Sequence, residues 1–223
     1  NESAGGDGIA RADVPRENVF LATKVWIDRL APADVRQTTR ESLDRLGVDS
    51  VELLYVHWPA RTYEPEATLS AFADLREEGL IDRIGVSNFE PAQLETALDV
   101  LDGEVFANQV ECHPMLPQPE LRDACADTGV ELVAYSPLAR GAVFEVDVLS
   151  EIAADHGVSE AQVSLAWLRE KDVTTIPKAT SEAHVLDNFE SLELSLTDEE
   201  VARIDDINRR SRRVDPSFGP WNR

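Results

Sequence analysis

The sequence predicts an α/β protein built around a parallel sheet, and three observations support that class. The run from Val51 to Val56 is almost continuously apolar with β-branched ends, which is typical of a strand buried on both faces between helices. Strand-like and helix-like patterns alternate along the whole chain without a repeat or a linker. Polar or reactive side chains stand where each strand-like run ends. Alternation of this kind produces parallel strands joined by right-handed crossovers.

The strands are predicted from short apolar runs. Each run is rich in β-branched or aromatic residues and is too short for a helix. The six runs are Val19–Lys24, Val51–His57, Ile81–Val86, Val105–Val110, Val130–Tyr135 and Val173–Ile176.

The helices are predicted from apolar residues spaced three and four apart, together with start and stop signals. The first covers Pro32–Leu46 and stops at Gly47. Capping boxes, in which Ser or Thr stands three residues before Gln or Glu, open two later helices at Ser159 and Thr197. The other helices are predicted around Leu69–Leu75, after Pro91, before Gly129, over Val148–His156 and from Ser181.

The charge balance excludes some classes of partner. The 223 residues include 43 acidic and 21 basic side chains, a formal net charge of −22, which argues against binding to nucleic acid or to an anionic membrane. No apolar run has the length of a membrane span and no signal-peptide pattern is present. We therefore expect a soluble, cytoplasmic protein.

Lysine is scarce, with only Lys24, Lys171 and Lys178 in the chain. An acidic surface with so little lysine is typical of proteins from salt-loving organisms, in which concentrated salt screens self-repulsion. We therefore expect a halophilic protein that loses its fold when molar salt is removed.

The cysteines do not predict a disulfide or a metal site. Cys112 and Cys125 are too few for a disulfide framework, and we expect both to be reduced. Cys112 and His113 are adjacent, but no second pair of metal ligands stands near them in the sequence.

The ends of the six predicted strands carry side chains able to do chemistry. Barrels and open α/β sheets build their active sites at the carboxyl ends of parallel strands, so these positions are candidates for a site. Burial in the core explains a single histidine there equally well, and Ser87 with Asn88 could be a turn pair that caps the next helix. The candidates are Lys24, His57, Ser87, Asn88, Gln109, Tyr135, Ser136 and Lys178.

Six short motifs, in order and with matching spacing, resemble the aldo-keto reductases. They are TKVW at Thr23–Trp26, HWP at His57–Pro59, GVSNF at Gly85–Phe89, NQVECHP at Asn108–Pro114, AYSPL at Ala134–Leu138 and IPKAT at Ile176–Thr180. The resemblance covers essentially the whole chain and is to a haloarchaeal-like member, of the 2,5-diketo-D-gluconate reductase type. It implies a (β/α)8 TIM barrel as a single domain over residues 1–223. It also implies a nicotinamide cofactor and hydride transfer to an aldehyde or ketone.

The same resemblance predicts that the barrel is incomplete in this chain. A family member has two further strands before the first one here, and its catalytic aspartate and tyrosine lie just upstream of an Asn-Glu pair that Asn1-Glu2 matches. We therefore expect strands 3–8 with their helices, and about 50 residues, or two βα units, absent from the N-terminus. Two strands with unpaired edges predict low stability.

The resemblance assigns the chemistry to two residues that are present. Lys24 matches the lysine that lowers the pKa of the catalytic tyrosine, and His57 matches the imidazole that orients the substrate carbonyl. None of the three tyrosines matches the acid. Tyr55 is expected one layer below His57, Tyr63 in a loop and Tyr135 against the nicotinamide ring.

The resemblance also supplies the residues that would bind the cofactor. Ser87, Asn88 and Gln109 match the residues that bind the nicotinamide carboxamide. NADPH is the expected cofactor, and NADH stays open because His184 replaces an arginine that often binds the adenosine 2′-phosphate.

Further positions match the rest of the cofactor and the substrate pocket. Three tryptophans, Trp26, Trp58 and Trp221, would line an apolar pocket unless they serve only as core or lid packing. The pyrophosphate would contact Ser136 and Leu138, and the adenosine end would contact Lys178, Ser181, His184, Asp187 and Asn188.

Three functions are compatible with the sequence. The first is a monomeric reductase of a small carbonyl compound. The second is a non-catalytic member that keeps the cofactor site as a binding or regulatory subunit, and the third is an inactive truncated product. Lys24 and His57 favour the first over the second, because a protein that only binds the cofactor does not need them.

Overall fold

The computed structural model describes residues 1–222 and contains the predicted alternation of strands and helices. The strands are β1 (Ala22–Val25), β2 (Val51–Val56), β3 (Ile81–Ser87), β4 (Ala107–Glu111), β5 (Glu131–Tyr135) and β6 (Thr174–Thr175). They form one sheet whose order follows the chain from β1 to β6. The pairs β1–β2, β2–β3 and β5–β6 are parallel. The α/β class is thus confirmed, and these are the strands expected of an incomplete (β/α)8 barrel.

Helices precede, connect and follow the strands. They are α1 (Glu2–Arg11), α2 (Pro32–Leu46), α3 (Pro65–Glu77), α4 (Pro91–Val100), α5 (Pro119–Thr128), α6 (Asp147–His156), α7 (Glu160–Glu170), α8 (Glu182–Glu190) and α9 (Asp198–Asp205). Helix α2 has the predicted bounds and ends at Gly47, whose left-handed backbone (φ 68°) a residue with a Cβ rarely adopts.

The first and the last predicted strands are each two residues longer than the observed ones. Strand β1 begins at Ala22 and not at Val19, because side chains take up backbone groups that precede it. Arg16 Nη1 donates to the carbonyl of Val19 (2.6 Å), and the N–H of Leu21 donates to Glu52 Oε2 (2.8 Å). At the other edge, β6 is confined to Thr174 and Thr175, and the chain soon reaches Pro177, which has no N–H to donate.

One of the two predicted capping boxes is wrong. At the start of α9, Thr197 and Glu200 form the full reciprocal box. At the start of α7, Ser159 Oγ accepts the N–H of Gln162 (3.1 Å), but the Gln162 side chain does not return the bond. It donates instead to Asp187 Oδ1 (2.8 Å), because a carboxylate is the stronger acceptor.

The chain divides into two compact units, each with its own buried core. The first unit consists of residues 1–108 and 128–130 and the tail from Ser217, and the second consists of residues 109–127 and 131–216. The core of the first unit contains the β2 side chains Leu54 and Tyr55 and the α3 side chain Phe72. In the second unit Trp167 of α7 is fully buried and donates its indole N–H to Asp205 Oδ1 (2.9 Å). That residues 1–223 form a single barrel domain remains a prediction.

Within residues 1–222, no helix is long and apolar enough to cross a membrane.

Candidate active site

A row of three residues across β1, β2 and β3 supports the lysine predicted to be catalytic. Lys24 pairs in register with Tyr55, and Tyr55 pairs with Gly85. The Lys24 Nζ lies 5.2 Å from the centre of the Tyr55 ring. The ring can occupy this position only because Gly85 has no side chain: a Cβ there would stand 2.6 Å from two ring carbons of Tyr55. Burial lowers the pKa of the Lys24 ammonium below its ordinary value.

His57 directly follows β2, and both of its backbone polar groups are hydrogen-bonded. Its N–H donates to the carbonyl of Val25 (3.1 Å), and its carbonyl accepts a bond from Asn88 Nδ2 (3.1 Å). The imidazole meets the Trp26 ring edge to face at 4.8 Å. Burial, and after it the charge of Lys24, lower the pKa of His57 to about 4. The imidazole is therefore uncharged at neutral pH and can donate one N–H to a carbonyl oxygen without adding a second positive charge.

Ser87 and Asn88 are buried, and they are not the helix cap that the alternative interpretation proposed. Glu90 is the N-cap of α4 and forms a capping box with Gln93. Asn88 has a left-handed backbone (φ 63°), a conformation that asparagine tolerates better than most residues. This backbone lets its amide bond both Ser87 Oγ (3.1 Å) and the His57 carbonyl.

Two aromatic side chains of the C-terminal tail, Phe218 and Trp221, pack against the other tryptophans of the predicted pocket. Phe218 lies 5.4 Å from Trp58 and 6.4 Å from Trp26, ring centre to ring centre, and Trp221 lies 5.5 Å from Trp58. Trp58 is only 4% exposed whereas Trp26 is 45% exposed. The structure thus brings the three predicted tryptophans into one cluster, with Trp26 as its open side. Phe218 belongs to the cluster although sequence reasoning did not assign it a role there.

In the second unit, the loop after β5 has unusual backbone geometry. Ser136, Ala139 and Arg140 all have positive φ (49°, 46° and 54°), a costly conformation for residues with a Cβ. Ser164 on α7 is fully buried and donates to the carbonyl of Pro137 (2.8 Å), which fixes the loop. Leu138, the other predicted pyrophosphate contact, lies in the same loop.

Glu111 is a functional candidate that sequence reasoning missed. It lies at the end of β4, is fully buried, and its two carboxylate oxygens accept bonds from His113 Nε2 (2.9 Å) and from the N–H groups of Arg213 (2.6 Å) and Val214 (2.8 Å). Burial raises the pKa of Glu111, but these hydrogen bonds outweigh it, so the net pKa is below the ordinary value. The available signal was an acidic residue inside an apolar strand, which needs partners if it is buried.

The neighbouring cysteine is structural. Cys112 is fully buried, and burial raises the pKa of its thiol to about 12. Neither Cys112 nor Cys125 forms a disulfide, as predicted. Within residues 1–222, no group of three or more His, Cys, Asp or Glu side chains is placed to hold a metal ion.

The residues predicted at the adenosine end lie on and just before α8. Ser181 is the N-cap of that helix and accepts the N–H of His184 (3.3 Å). Lys178 and His184 are exposed. Asp187 differs from the rest, because its carboxylate is already bonded to Ser159 Oγ (2.8 Å) and Gln162 Nε2 (2.8 Å) and so joins α8 to the start of α7.

The tyrosines do not supply an acid. Burial raises the pKa of Tyr63, and burial together with the Glu111 charge raises that of Tyr135, so both hydroxyls hold their protons more tightly than a free tyrosine. Tyr55 is 2% exposed and lies beneath Lys24.

A large cavity in the first unit lies away from these residues. Its volume is about 510 Å³, and Glu52 and Arg16 line it near the start of β2, whereas His57 follows the end of that strand. Arg16 and Glu52 form a two-bond ion pair (2.9 Å each). Since α/β sheets place their chemistry at the carboxyl ends of strands, we do not assign this cavity to the active site.

Comparison with known proteins agrees with the motifs. A profile of the Aldo/keto reductase family matches residues 1–209. A glyoxal reductase of Bacillus subtilis (strain 168) is 37% identical over 212 residues, which are 95% of this chain and 76% of that protein. A 9,11-endoperoxide prostaglandin H2 reductase of Trypanosoma cruzi (strain CL Brener) is 35% identical over 95% of this chain and 76% of its own length.

Solved structures give the same result. A putative 2,5-diketo-D-gluconic acid reductase B superposes with a TM-score of 0.93 at 35% identity, covering 98% of this chain and 79% of that one. A Bombyx mori aldo-keto reductase in complex with NADP has a TM-score of 0.88 at 30% identity, covering 97% of this chain and 78% of that one. The chain is an oxidoreductase of the aldo/keto reductase family.

Proposed function

We propose that this protein uses NADPH to reduce an aldehyde or ketone to the alcohol, and that Lys24 and His57 act at the reacting carbonyl. The observation that carries the proposal is the setting of His57. Its backbone N–H and carbonyl are both hydrogen-bonded, and burial with the charge of Lys24 keeps its imidazole neutral. A neutral imidazole donates a hydrogen bond to a carbonyl oxygen and orients it. The Lys24 ammonium, which rests on the Tyr55 ring, favours negative charge developing on that oxygen.

The residues proposed for the cofactor suit a nicotinamide nucleotide. Ser87 ends β3, Asn88 directly follows it, and Gln109 lies within β4. All three polar side chains are at least 94% buried, and such groups can bond a carboxamide. When bound, NADPH supplies the hydride. Tyr135 offers a largely buried ring for stacking, and Lys178 an exposed ammonium for a phosphate. NADH use stays open, since His184 carries less positive charge than the arginine it replaces.

The substrate type and the setting of the protein are proposals as well. We propose a substrate of the 2,5-diketo-D-gluconate type, a sugar acid, on the basis of the motifs and of the structural relative named for that compound. Two buried cysteines that form no disulfide fit the reducing cytoplasm, and the net charge of −22 fits a halophilic protein. We propose that the protein is monomeric.

A second candidate function is cofactor binding without catalysis. The observation on its side is that burial raises the pKa of Tyr63 and Tyr135, which makes both hydroxyls weaker acids. Such a protein would bind NADPH and leave carbonyl compounds unreduced.

One experiment separates these functions. NADPH binding would be followed by quenching of tryptophan fluorescence, and turnover by loss of NADPH absorbance after addition of glyoxal or 2,5-diketo-D-gluconate. We expect binding and carbonyl-dependent oxidation in the wild type. In Lys24→Met and His57→Gln we expect binding to persist while turnover falls by roughly a hundredfold or more. Binding without turnover in the wild type would establish the second candidate, and absence of both would refute the two proposals.

A further inference from the structure

The tail segment before Val214 concentrates positive charge in a strongly acidic protein. Four of the five residues from 209 to 213 are arginines, although the chain has a net charge of −22. Two of them have partners within the second unit. Arg209 lies 3.7 Å from Glu145, and Arg210 donates to the carbonyl of Ile207.

The backbone of this segment is fixed although it is neither helix nor strand. The N–H of Ser211 donates to the carbonyl of Met115 (3.0 Å). Glu111 then accepts the N–H groups of Arg213 and Val214 on its two carboxylate oxygens. The chain thus uses a fully buried carboxylate to set the position from which the Arg213 side chain extends.

The Arg213 side chain ends in an unused pair of donors. Its Nε and Nη2 atoms are buried and have no hydrogen-bond partner among residues 1–222. These two nitrogens share one edge of the planar guanidinium, so their N–H groups point the same way and form a fork. A fork of this kind matches the two oxygens of a carboxylate or phosphate. Buried charged donors without an acceptor are costly, which indicates a ligand that completes them.

The acidic neighbour, Glu111, does not complete this fork. Glu111 already accepts three hydrogen bonds, one of them from His113 Nε2. Tyr135 lies in the same electrostatic environment, because the charges of Glu111, Arg212 and Arg140 all act on its hydroxyl. Two further arginines therefore add positive charge around the residue proposed to stack on the nicotinamide.

We propose that the Nε–Nη2 edge of Arg213 binds an oxyanion of the enzyme's ligands: the carboxylate of an acidic carbonyl substrate or a phosphate of the cofactor. The site rests on the proposed function, which supplies both kinds of ligand. Arg213 would then favour negatively charged ligands over uncharged ones, a selection in which neither Lys24 nor His57 takes part.

The proposal can be tested without turnover by measuring how ligands bind to the complex of the protein with NADP⁺. Levulinate and methyl levulinate are both ketones, and the ester has a methoxy group in place of the negatively charged oxygen. Isothermal titration with saturating NADP⁺ would compare the wild type with Arg213→Gln, with Arg213→Lys, which keeps the charge but loses the fork, and with Arg209→Gln as a matched control from the same segment. Circular dichroism would confirm that each variant is folded.

The expected result for a substrate carboxylate is that levulinate binds roughly ten- to a hundredfold more weakly to Arg213→Gln, while methyl levulinate and the control are unchanged. Arg213→Lys should fall between. If the site instead holds a cofactor phosphate, the same loss appears for NADP⁺ titrated alone. Unchanged binding of both levulinate and NADP⁺ in folded Arg213→Gln would overturn the proposal.

Two further outcomes keep the proposals separable. If Arg213→Gln does not fold, the wild type decides: equal affinity for levulinate and its ester, together with NADP⁺ binding that is independent of salt, would overturn the oxyanion site. If the wild type binds no NADP⁺, that result counts against the proposed function alone, and the levulinate comparison is then made without cofactor. A preference for the anion there still supports the Arg213 site.

Discussion

The neutral, buried imidazole of His57 predicts a specific dependence of stability on pH. Burial and Lys24 lower its pKa from 6.5 to about 4 in the folded protein, whereas the unfolded chain keeps the ordinary value. Between these values the unfolded state binds the proton and the folded state does not, so acidification favours unfolding. Since one pKa unit corresponds to 1.36 kcal/mol, the full effect is about 3 kcal/mol, and about 2 kcal/mol of it falls between pH 7 and pH 4.5.

The assay is urea unfolding at pH 7 and pH 4.5, followed by tryptophan fluorescence, for the wild type and His57→Gln. Carboxylates also titrate in this range, so the informative quantity is the difference between the two proteins. The free energy of unfolding of the wild type should fall by about 2 kcal/mol more than that of the variant. His184→Gln, which removes an exposed imidazole, should behave as the wild type does.

A direct titration completes the test. The ring proton resonances of His57 should shift with a midpoint near pH 4, and Lys24→Met should raise that midpoint by removing the second cause. Because burial is the larger cause, the midpoint in Lys24→Met should still lie below 6.5. A His57 midpoint near 6.5 in the wild type, with equal acid sensitivity of wild type and variant, would refute the reasoning.

Three other predictions concern stability. Gly85→Ala should destabilise the fold by about 2 kcal/mol in urea unfolding, because the new Cβ would meet the Tyr55 ring at 2.6 Å. The control Gly8→Ala in α1, where a Cβ would have nothing within 4 Å, should stabilise the fold by about 0.5–1 kcal/mol. Equal effects of the two substitutions would contradict the packing argument. Glu111→Gln should lower the free energy of unfolding by about 3 kcal/mol at neutral pH, since an amide cannot accept all three hydrogen bonds. The difference from the wild type should vanish as pH falls through the lowered carboxyl pKa of Glu111. A loss of stability that is independent of pH would indicate a packing defect instead. Raising KCl from 0.1 M to 2 M should raise the melting temperature, because repulsion among the charges that give the net charge of −22 is then screened over about 3 Å or less. A melting temperature that falls with salt would exclude halophilic adaptation.

Patterning predicted the elements because local physics decides them. Pro32 and Gly47 bound α2 in the sequence as in the structure, since one cannot donate an N–H inside a helix and the other tolerates a positive φ. The apolar run from Val51 to Val56 became β2, and His57 follows its end as predicted. Strand ends were less accurate, because side chains far away in sequence, such as Glu52 beside Leu21, take hydrogen bonds that patterning assigns to the ladder.

The sequence by itself thus determined the fold class, the family and the positions of Lys24 and His57, since hydrophobic periodicity and motif spacing are local properties of the chain. Only the tertiary structure decided the contacts, the burial and the pKa of these residues. The Tyr55 ring supports Lys24 because Gly85, 30 residues further along, leaves space for it, and Glu111 holds the backbone of a segment about a hundred residues away. The same holds for the unpaired edge of Arg213 and for the lowered pKa of His57. These properties arise from burial and from partners that are distant in sequence, which no local pattern records.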